Sequence, residues 1–237
     1  MSITIALAAY RFVNGDTAFN ISQIERALRA AHGRADIVCF GETFLQGFDA
    51  LNFNYPHDLN VGIARDDDIF LKICAMTRRY GVDLCLGYVE CDGDDLYSSC
   101  AVIADGAICH NYRRISSGWK DTVLADEHYR EGNVSEDFIY KGQKFRIALC
   151  GDMWECPERF QTDGILIWSI YVTFSAAEWK SCEEEYAERS NLAAKKALLV
   201  NSISENPDAV GGAFLFENGK IADRVPYGAE DILYVAV

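Results

Sequence analysis

Short apolar segments alternate with longer amphipathic segments along most of the 237-residue chain, and this alternation constrains the fold more than any other feature. A strand buried on both faces reads as a continuous apolar run, whereas a helix packed on a sheet repeats its apolar residues every three or four positions. Alternation of the two kinds of segment is typical of α/β proteins. The pattern therefore predicts a mixed sheet, or two sheets, with helices on the outside.

The predicted strands are apolar segments bounded by polar or turn residues. They cover Ile3–Ala9, Ile37–Phe40, Val82–Val89, Ser98–Ala104, Ala107–Tyr112, Phe145–Cys150, Ile165–Trp168, Ala197–Val200, Ala213–Phe216 and Ile232–Val237. Two connections have the sequence of a tight hairpin turn, Asp105-Gly106 and Asn218-Gly219, because these dipeptides adopt the backbone angles that two-residue turns require. Antiparallel hairpins are therefore expected beside the crossover units.

Three helices are predicted from apolar spacing and from the charges at their ends. The first follows Asp16, an N-cap residue, and ends at about His32. The second spans about Asp67–Tyr80, with acidic residues at its start and arginines in its last turn. The third is expected over about Ser181–Lys196 for the same reason, since it begins with glutamates and closes with lysines.

The charge balance and the terminal sequence limit the partners and the location. Lys and Arg number 22 against 36 Asp and Glu, which gives a formal net charge of −14. Nucleic acids and anionic membrane surfaces attract basic patches, so neither is expected as a partner, and a small-molecule substrate is. No apolar run approaches the roughly 20 residues that span a bilayer. The first apolar run also lacks a preceding Lys or Arg, so we expect no signal peptide and a cytoplasmic protein.

The cysteines and histidines show no metal-binding or disulfide pattern. Nine cysteines occur without a Cys-x-x-Cys pair, and the four histidines are scattered. An odd count in a chain of this size argues against a disulfide framework, and the spacing argues against a zinc site. Most of these cysteines are therefore expected to fill apolar positions.

Residues whose side chains can take part in chemical reactions follow three of the predicted strands. Glu42 comes after one, the pair Arg113-Arg114 after another, and Cys150 closes a third just before Gly151 and Asp152. Ligands in α/β proteins tend to bind at the carboxyl ends of strands. A thiol becomes a nucleophile beside a base or a positive charge, and a cation stabilises the oxyanion of acyl transfer. From these residues alone, Glu42 as a helix cap and Cys150 as a core residue remain open alternatives.

Taken in order, the motifs of the chain resemble those of the nitrilase superfamily of carbon–nitrogen hydrolases. The segments that carry the resemblance are Asp36–Phe48, Gly87–Glu90, Tyr112–Arg114, Ala148–Asp152 and Gly211–Ala213. The resemblance extends over residues 1–237 and implies one carbon–nitrogen hydrolase domain, a four-layer α-β-β-α sandwich. It also implies homodimers or larger homo-oligomers, and hydrolysis of amides, carbamoyl compounds or nitriles by a Glu-Lys-Cys triad without metal or cofactor.

Carried over by position, the resemblance makes Glu42 the general base and Cys150 the nucleophile that forms a thioester. The family's lysine falls on Arg114, so the positive charge is expected from Arg114, from Lys120 six residues later, or from both. A second acidic residue of many members is expected at Glu127 or, failing that, Asp126.

Two further residues are expected at the substrate. Trp154 departs from the usual sequence after the nucleophile and is expected to line the pocket. One of Arg113 and Arg114 is expected to face inward, where it could bind a substrate carboxylate, and Arg113 is assigned to substrate binding.

Three functions remain open from the sequence. The first is a cysteine-dependent hydrolase of small-molecule carbon–nitrogen bonds. The second is a catalytically silent relative that binds a small molecule or acts as an assembly partner, because arginine stands where the family has lysine. The third is an unrelated α/β ligand-binding domain.

Overall fold

The computed structural model describes residues 2–237, and within this range it has twelve strands and five α-helices. The strands are β1 Thr4–Ala9, β2 Ile37–Cys39, β3 Asp83–Asp92, β4 Asp95–Ala104, β5 Ala107–Arg113, β6 Phe138–Tyr140, β7 Gln143–Leu149, β8 Ile165–Ile170, β9 Lys196–Glu205, β10 Asp208–Glu217, β11 Lys220–Arg224 and β12 Asp231–Ala236. The helices are α1 Thr17–Ala31, α2 Tyr55–Asp58, α3 Asp68–Tyr80, α4 Asp152–Glu155 and α5 Ala176–Ser190.

The strands form two six-stranded sheets built on one plan. The first has the order β12-β1-β2-β3-β4-β5 and the second β11-β10-β9-β8-β7-β6. In each sheet the three central strands in sequence, β1-β2-β3 and β7-β8-β9, are parallel, and the outer strands are antiparallel. The carboxyl ends of β2 and β7 are therefore free to carry site residues from both sheets.

The two faces of β1 show how the layers pack. Ile5 and Leu7 belong to an apolar cluster that includes Ile147 and Leu149 of the second sheet. Ala6 and Ala8, which alternate with them, belong to a cluster formed with helices α1 and α3. One face of the first sheet thus packs on the second sheet and the other on helices. The mixed α/β architecture, the α-β-β-α sandwich, is confirmed.

Helices α1 and α3 begin and end close to the residues that the sequence predicts. The side chain of Asp16 accepts a hydrogen bond from the backbone N–H of Phe19, which caps α1. Asp67 caps α3 in the same way, and Gly81 closes it in the left-handed conformation that glycine adopts without strain. No helix within residues 2–237 is long and apolar enough to cross a membrane.

The prediction for the third helix is wrong by about one and a half turns. Helix α5 spans Ala176–Ser190 rather than Ser181–Lys196, because Ser175 and Glu178 form a reciprocal capping box that starts the helix earlier. Lys196 begins β9 instead. The charged run that we read as a helix terminus therefore continues into a buried strand.

Candidate active site

Three strand ends bring their following residues together between the two sheets. Glu42 lies three residues beyond β2, and Arg114 directly follows β5 at the other side of the same sheet. Cys150 directly follows β7 of the second sheet. Glu42 and Arg114 are hydrogen-bonded to each other, and Gly151, next to Cys150, lies against the guanidinium of Arg114. The predicted strand ends therefore meet at one site.

Glu42 is a fully buried carboxylate with one oxygen engaged and one free. Its Oε1 accepts hydrogen bonds from Ser98 Oγ at 2.7 Å and from Arg114 Nη1 at 2.9 Å. Its Oε2 is also buried and has no hydrogen-bond partner within residues 2–237. Buried polar atoms are nearly always paired, and an unpaired one is often part of a functional site. Oε2 is therefore available to accept a proton from a reacting group.

The turn that carries Glu42 is held close to β3. A methyl group added to Gly87 of β3 would lie 2.4 Å from the carbonyl oxygen of Gly41 and 2.6 Å from the N–H of Thr43. Only glycine permits this approach. Thr43 itself has a φ of +47°, a conformation that a β-branched residue adopts only when its surroundings impose it. The backbone N–H of Glu42 donates to Ile170 O of the second sheet at 3.1 Å, which fixes the turn between the sheets.

Arg114 is a buried cation with two of its guanidinium nitrogens hydrogen-bonded. It is 3% exposed, and its Nε donates to Ser116 Oγ at 2.7 Å while Nη1 donates to Glu42. Burial opposes the charged form, but the negative charges of Glu42 and Asp152 raise the pKa of Arg114 above its usual value. The group is therefore a permanent positive charge and not a proton donor.

Cys150 sits at a strained turn with a neutral thiol. Its φ is +33°, and its backbone N–H donates to Ser169 O at 3.0 Å. Its Sγ lies 3.7 Å from the carbonyl oxygen of Tyr171. Burial raises the pKa of the Cys150 thiol, the carboxylate of Glu42 raises it further, and Arg114 lowers it, with a result of about 12. The thiol needs a base to become a nucleophile near neutral pH.

Asp152 connects the turn at Cys150 to the segment that follows Arg114. Its carboxylate accepts hydrogen bonds from Tyr112 Oη at 2.6 Å, from Leu149 N at 2.8 Å, and from the N–H groups of Ile115 and Ser116 at 3.1 and 2.8 Å. Sequence reasoning did not single out this residue. The one available signal is its place two residues after Cys150.

Lys120 is engaged elsewhere. Its ammonium forms an ion pair with Glu131 at 2.7 Å and donates to the carbonyl oxygen of Tyr129. Glu127 is exposed, and Asp126 accepts a hydrogen bond from the backbone of His128. Within the described part of the chain, none of the candidates Lys120, Glu127 and Asp126 makes a hydrogen bond or ion pair with Glu42, Arg114 or Cys150. Of the two cations proposed for the site, the structure brings Arg114 to it.

The side chains of Arg113, the last residue of β5, and of Arg114, which follows it, point in opposite directions, as alternation along an extended chain predicts. Arg113 donates to both oxygens of Glu90, from Nε at 2.9 Å and Nη2 at 2.7 Å, and its guanidinium lies 3.9 Å from the ring centre of Tyr97. This placement does not agree with our assignment of Arg113 to the substrate site, because its fork is already occupied by a buried carboxylate.

Trp154 lies in an aromatic group close to Cys150 in the sequence. Its ring packs against Trp168 and Tyr186, at centroid distances of 6.3 and 5.0 Å. Trp168 Nε1 in turn donates to the carbonyl oxygen of Cys150 at 3.0 Å. A role for Trp154 in lining the substrate pocket stays a prediction. In residues 2–237, no group of three or more His, Cys, Asp or Glu side chains is arranged to hold a metal ion.

Comparison with known proteins gives one family. The carbon–nitrogen hydrolase family model matches residues 4–155. The chain is 28% identical to a glutamine-dependent NAD(+) synthetase of Thermotoga maritima over 160 aligned residues. The aligned residues make up 66% of this chain and 27% of that protein. It is 26% identical to the glutamine-dependent NAD(+) synthetase of Synechocystis, over 97% of this chain and 45% of that protein. An (R)-stereoselective amidase of Pseudomonas is 23% identical over 61% of this chain and 50% of its own length. The chain thus spans between about a quarter and a half of the length of these curated relatives.

Solved structures share the fold at lower identity. A carbon–nitrogen hydrolase from Helicobacter pylori superposes with a TM-score of 0.82 at 18% identity, covering all of this chain and 89% of that one. An amidase from Nesterenkonia superposes with a TM-score of 0.79 at 14% identity, covering 99% of this chain and 90% of that one. At these identities the likeness establishes the fold.

Proposed function

The chain belongs to the carbon–nitrogen hydrolase family, and we propose that it hydrolyses a non-peptide carbon–nitrogen bond of a small molecule through a thioester on Cys150. The observation that carries the proposal is the unpaired Oε2 of Glu42, which is buried in the same site as a fixed cation and a neutral thiol. Because the neutral thiol does not ionise by itself near neutral pH, it needs a neighbouring base to remove its proton. The free Oε2 of Glu42 can accept that proton.

In the proposed first step, Sγ of Cys150 attacks the carbonyl carbon of an amide as Oε2 of Glu42 takes the thiol proton. The carbonyl π electrons move to oxygen, where the charge of Arg114 stabilises the developing oxyanion. When the oxyanion collapses, the carbon–nitrogen bond breaks and the nitrogen takes the proton from Glu42. An amine or ammonia leaves, and the acyl group remains on sulfur as a thioester.

In the second step water replaces the amine. Glu42 removes a proton from water as its oxygen attacks the thioester carbon, and Arg114 again faces the oxyanion. Collapse breaks the carbon–sulfur bond, and the sulfur regains the proton from Glu42. Because Arg114 does not release a proton near neutral pH, Glu42 carries the proton in both steps.

For the substrate we propose a small amide with a terminal carboxamide. The family supports carbon–nitrogen bonds in general, and the relatives named as glutamine-dependent synthetases and as an amidase support carboxamides within that class. Nitriles and carbamoyl compounds belong to the same test panel, since attack by sulfur on an electrophilic carbon begins each reaction.

The test measures ammonia released from a panel of glutamine, simple aliphatic amides, carbamoyl compounds and nitriles. We expect turnover of at least one compound by the unmodified protein, and loss of it in Cys150→Ala and Glu42→Gln. The glutamine substitution keeps the size of residue 42 but removes its basicity. Equal turnover in Cys150→Ala would contradict the proposal.

A silent relative that binds a small molecule without hydrolysing it is the second candidate. It is favoured by one observation, the direct hydrogen bond and ion pair between Glu42 and Arg114, which engages half of the base with a cation unable to exchange a proton. A compound that raises the melting temperature of the protein, with no ammonia released and no adduct on Cys150, would support this candidate.

A further inference from the structure

We propose that Gly151 is a positioning residue: its missing side chain makes the space in which an arginine, rather than a lysine, serves as the cation at position 114. The consequence for catalysis rests on the proposed function, but the steric relation between the two residues does not. Two independent observations support the proposal, the backbone conformation of Gly151 and the atoms that surround its Cα.

The backbone does not require glycine at position 151. Its φ is −62° and its ψ is −16°, which is the right-handed helical conformation open to every L-residue. Gly151 is the N-cap of α4, and its backbone there makes no use of the left-handed region that only glycine enters freely. The reason for a glycine must therefore lie in its surroundings.

The surroundings leave no room for a methyl group. A Cβ at position 151 would lie 2.3 Å from Nη2 of Arg114, 3.4 Å from its Cζ and 3.1 Å from Ser116 Oγ. Carbon and nitrogen that are not bonded rarely approach closer than about 3.0–3.5 Å. The terminal branch of the arginine thus occupies the volume that a side chain at position 151 would need.

Arg114 cannot move away without losing its contacts in the site. Its Nε and Nη1 are hydrogen-bonded to Ser116 and Glu42, and both bonds oppose a shift of the side chain. Displacing Nη2 would rotate the planar guanidinium as a whole, because its nitrogens share one plane. The hydrogen bond from Nη1 to Glu42 would then be lost first.

A lysine at position 114 would relieve this conflict. Its ammonium is one tetrahedral group with no second branch, so it can contact Glu42 while the volume beside residue 151 stays empty. The two positions therefore depend on each other: glycine at 151 is required with arginine at 114 and dispensable with lysine. This dependence predicts non-additive effects of substitutions at the two sites.

The test is a double-mutant cycle on the full chain, with Gly151→Ala in the Arg114 protein and in Arg114→Lys. In the Arg114 protein we expect Gly151→Ala to lower kcat by about 100-fold with a smaller change in KM, the cost of misplacing a catalytic group by about 1 Å. In Arg114→Lys we expect the same substitution to change kcat by less than about threefold, an effect within normal additivity error. The rate of Cys150 alkylation by iodoacetamide is a second readout. It is expected to fall when Gly151→Ala is made in the Arg114 protein, because the guanidinium of Arg114 moves away from the sulfur, and not when it is made in Arg114→Lys.

Gly62→Ala is the matched control. A methyl group there would lie 2.6 Å from Leu96 Cδ2 and 2.9 Å from Cys91 Cβ, so the crowding is similar but involves other residues. Its effect on melting temperature is expected to be equal in the two backgrounds. If Gly151→Ala alone fails to fold, recovery of the fold in the double variant supports the proposal.

Equal effects of Gly151→Ala in both backgrounds, or failure of both variants to fold, would overturn the pairing. Absence of turnover in the unmodified protein would overturn the proposed function instead. The alkylation and melting cycles then still decide whether the two residues are coupled.

Discussion

At the scale of single residues, the protonation of Cys150 decides how the site works. Burial and the neighbouring Glu42 hold its pKa near 12, and the opposing charge of Arg114 only reduces this shift. The resting sulfur is therefore a thiol at neutral pH, and in the mechanism that we propose its activation depends on a base that acts during the reaction. This state differs from that of cysteines that are stored as thiolates beside a cation.

The first prediction concerns the pH dependence of Cys150 alkylation. Because the thiolate forms only as pH rises towards about 12, alkylation of Cys150 by iodoacetamide at pH 8 should be at least about 100-fold slower than that of a free thiol with a pKa near 8.5. The rate should still be rising at pH 10. Peptide mass mapping measures it, with Cys150→Ala to identify the modified site. A plateau in the Cys150 rate below pH 9 would contradict the raised pKa.

Sequence reasoning reached Glu42 and Cys150 because each follows an apolar strand at a turn, and strand ends can be read from local pattern. It could not choose between Arg114 and Lys120. That choice depends on the path of residues 115–120, which is set by hydrogen bonds from the backbone of Ile115 and Ser116 to Asp152, a residue distant in sequence. Likewise, the steric conflict at Gly151 exists only once Arg114 is in place.

At the scale of elements, the start of helix α4 joins strand β7 to the residues after β5. Asp152, the first residue of α4, accepts four hydrogen bonds, three from backbone N–H groups and one from Tyr112. A charged acceptor strengthens each of these bonds. This connection therefore fixes the turn at Cys150 relative to the residues that follow Arg114.

The second prediction is that Asp152→Asn lowers the free energy of unfolding by about 1–3 kcal/mol, because an amide has a single acceptor oxygen and places its NH₂ against N–H donors. Tyr112→Phe is the matched control, since it removes one of the four donors and leaves the carboxylate. Its cost should be smaller, about 1 kcal/mol. Urea denaturation measures both variants. Equal losses of the free energy of unfolding would contradict the view that the carboxylate of Asp152 holds β7 and the residues after β5 together.

Element boundaries were predictable where a cap fixes them and not where charge alone was used. Helix α1 starts after Asp16 and helix α3 ends before Gly81, as expected, because capping is a local interaction. The third helix was misplaced because Lys195 and Lys196 resemble a helix end, whereas Lys195 precedes the buried strand β9 and Lys196 is its first residue. Burial between sheets, which decided that assignment, is a property of the whole fold.

At the scale of the whole molecule, a second buried carboxylate contributes to stability. Glu90 is fully buried and accepts hydrogen bonds from Arg113, Ser99 and Asn111, and Arg65 lies 3.1 Å away as a further ion-pair partner. Burial alone would raise the pKa of Glu90, but the hydrogen bonds from Arg113, Ser99 and Asn111 outweigh it and lower the pKa. The folded protein thus favours the charged form.

The third prediction follows from the sign of this shift. A carboxyl group with a lowered pKa contributes stability above its unfolded value, about 4.3 for glutamate, and loses that contribution as pH falls through the folded value. We expect Glu90→Gln to be less stable at pH 7 and to lose less stability than the unmodified protein between pH 5 and the folded pKa of Glu90. Denaturant unfolding over this range measures the difference. Parallel curves for the two proteins would contradict it.

The central claim, that Cys150 forms a thioester with its substrate, is tested most directly by intact mass spectrometry. The protein is mixed with amides and activated esters of the same acids and quenched in acid within milliseconds to seconds. The account predicts a mass increase equal to one acyl group in the unmodified protein and in Arg114→Lys, located on the peptide that contains Cys150, and none in Cys150→Ala. Substrate hydrolysis with no acyl adduct at any time, or an adduct of equal yield in Cys150→Ala, would contradict it.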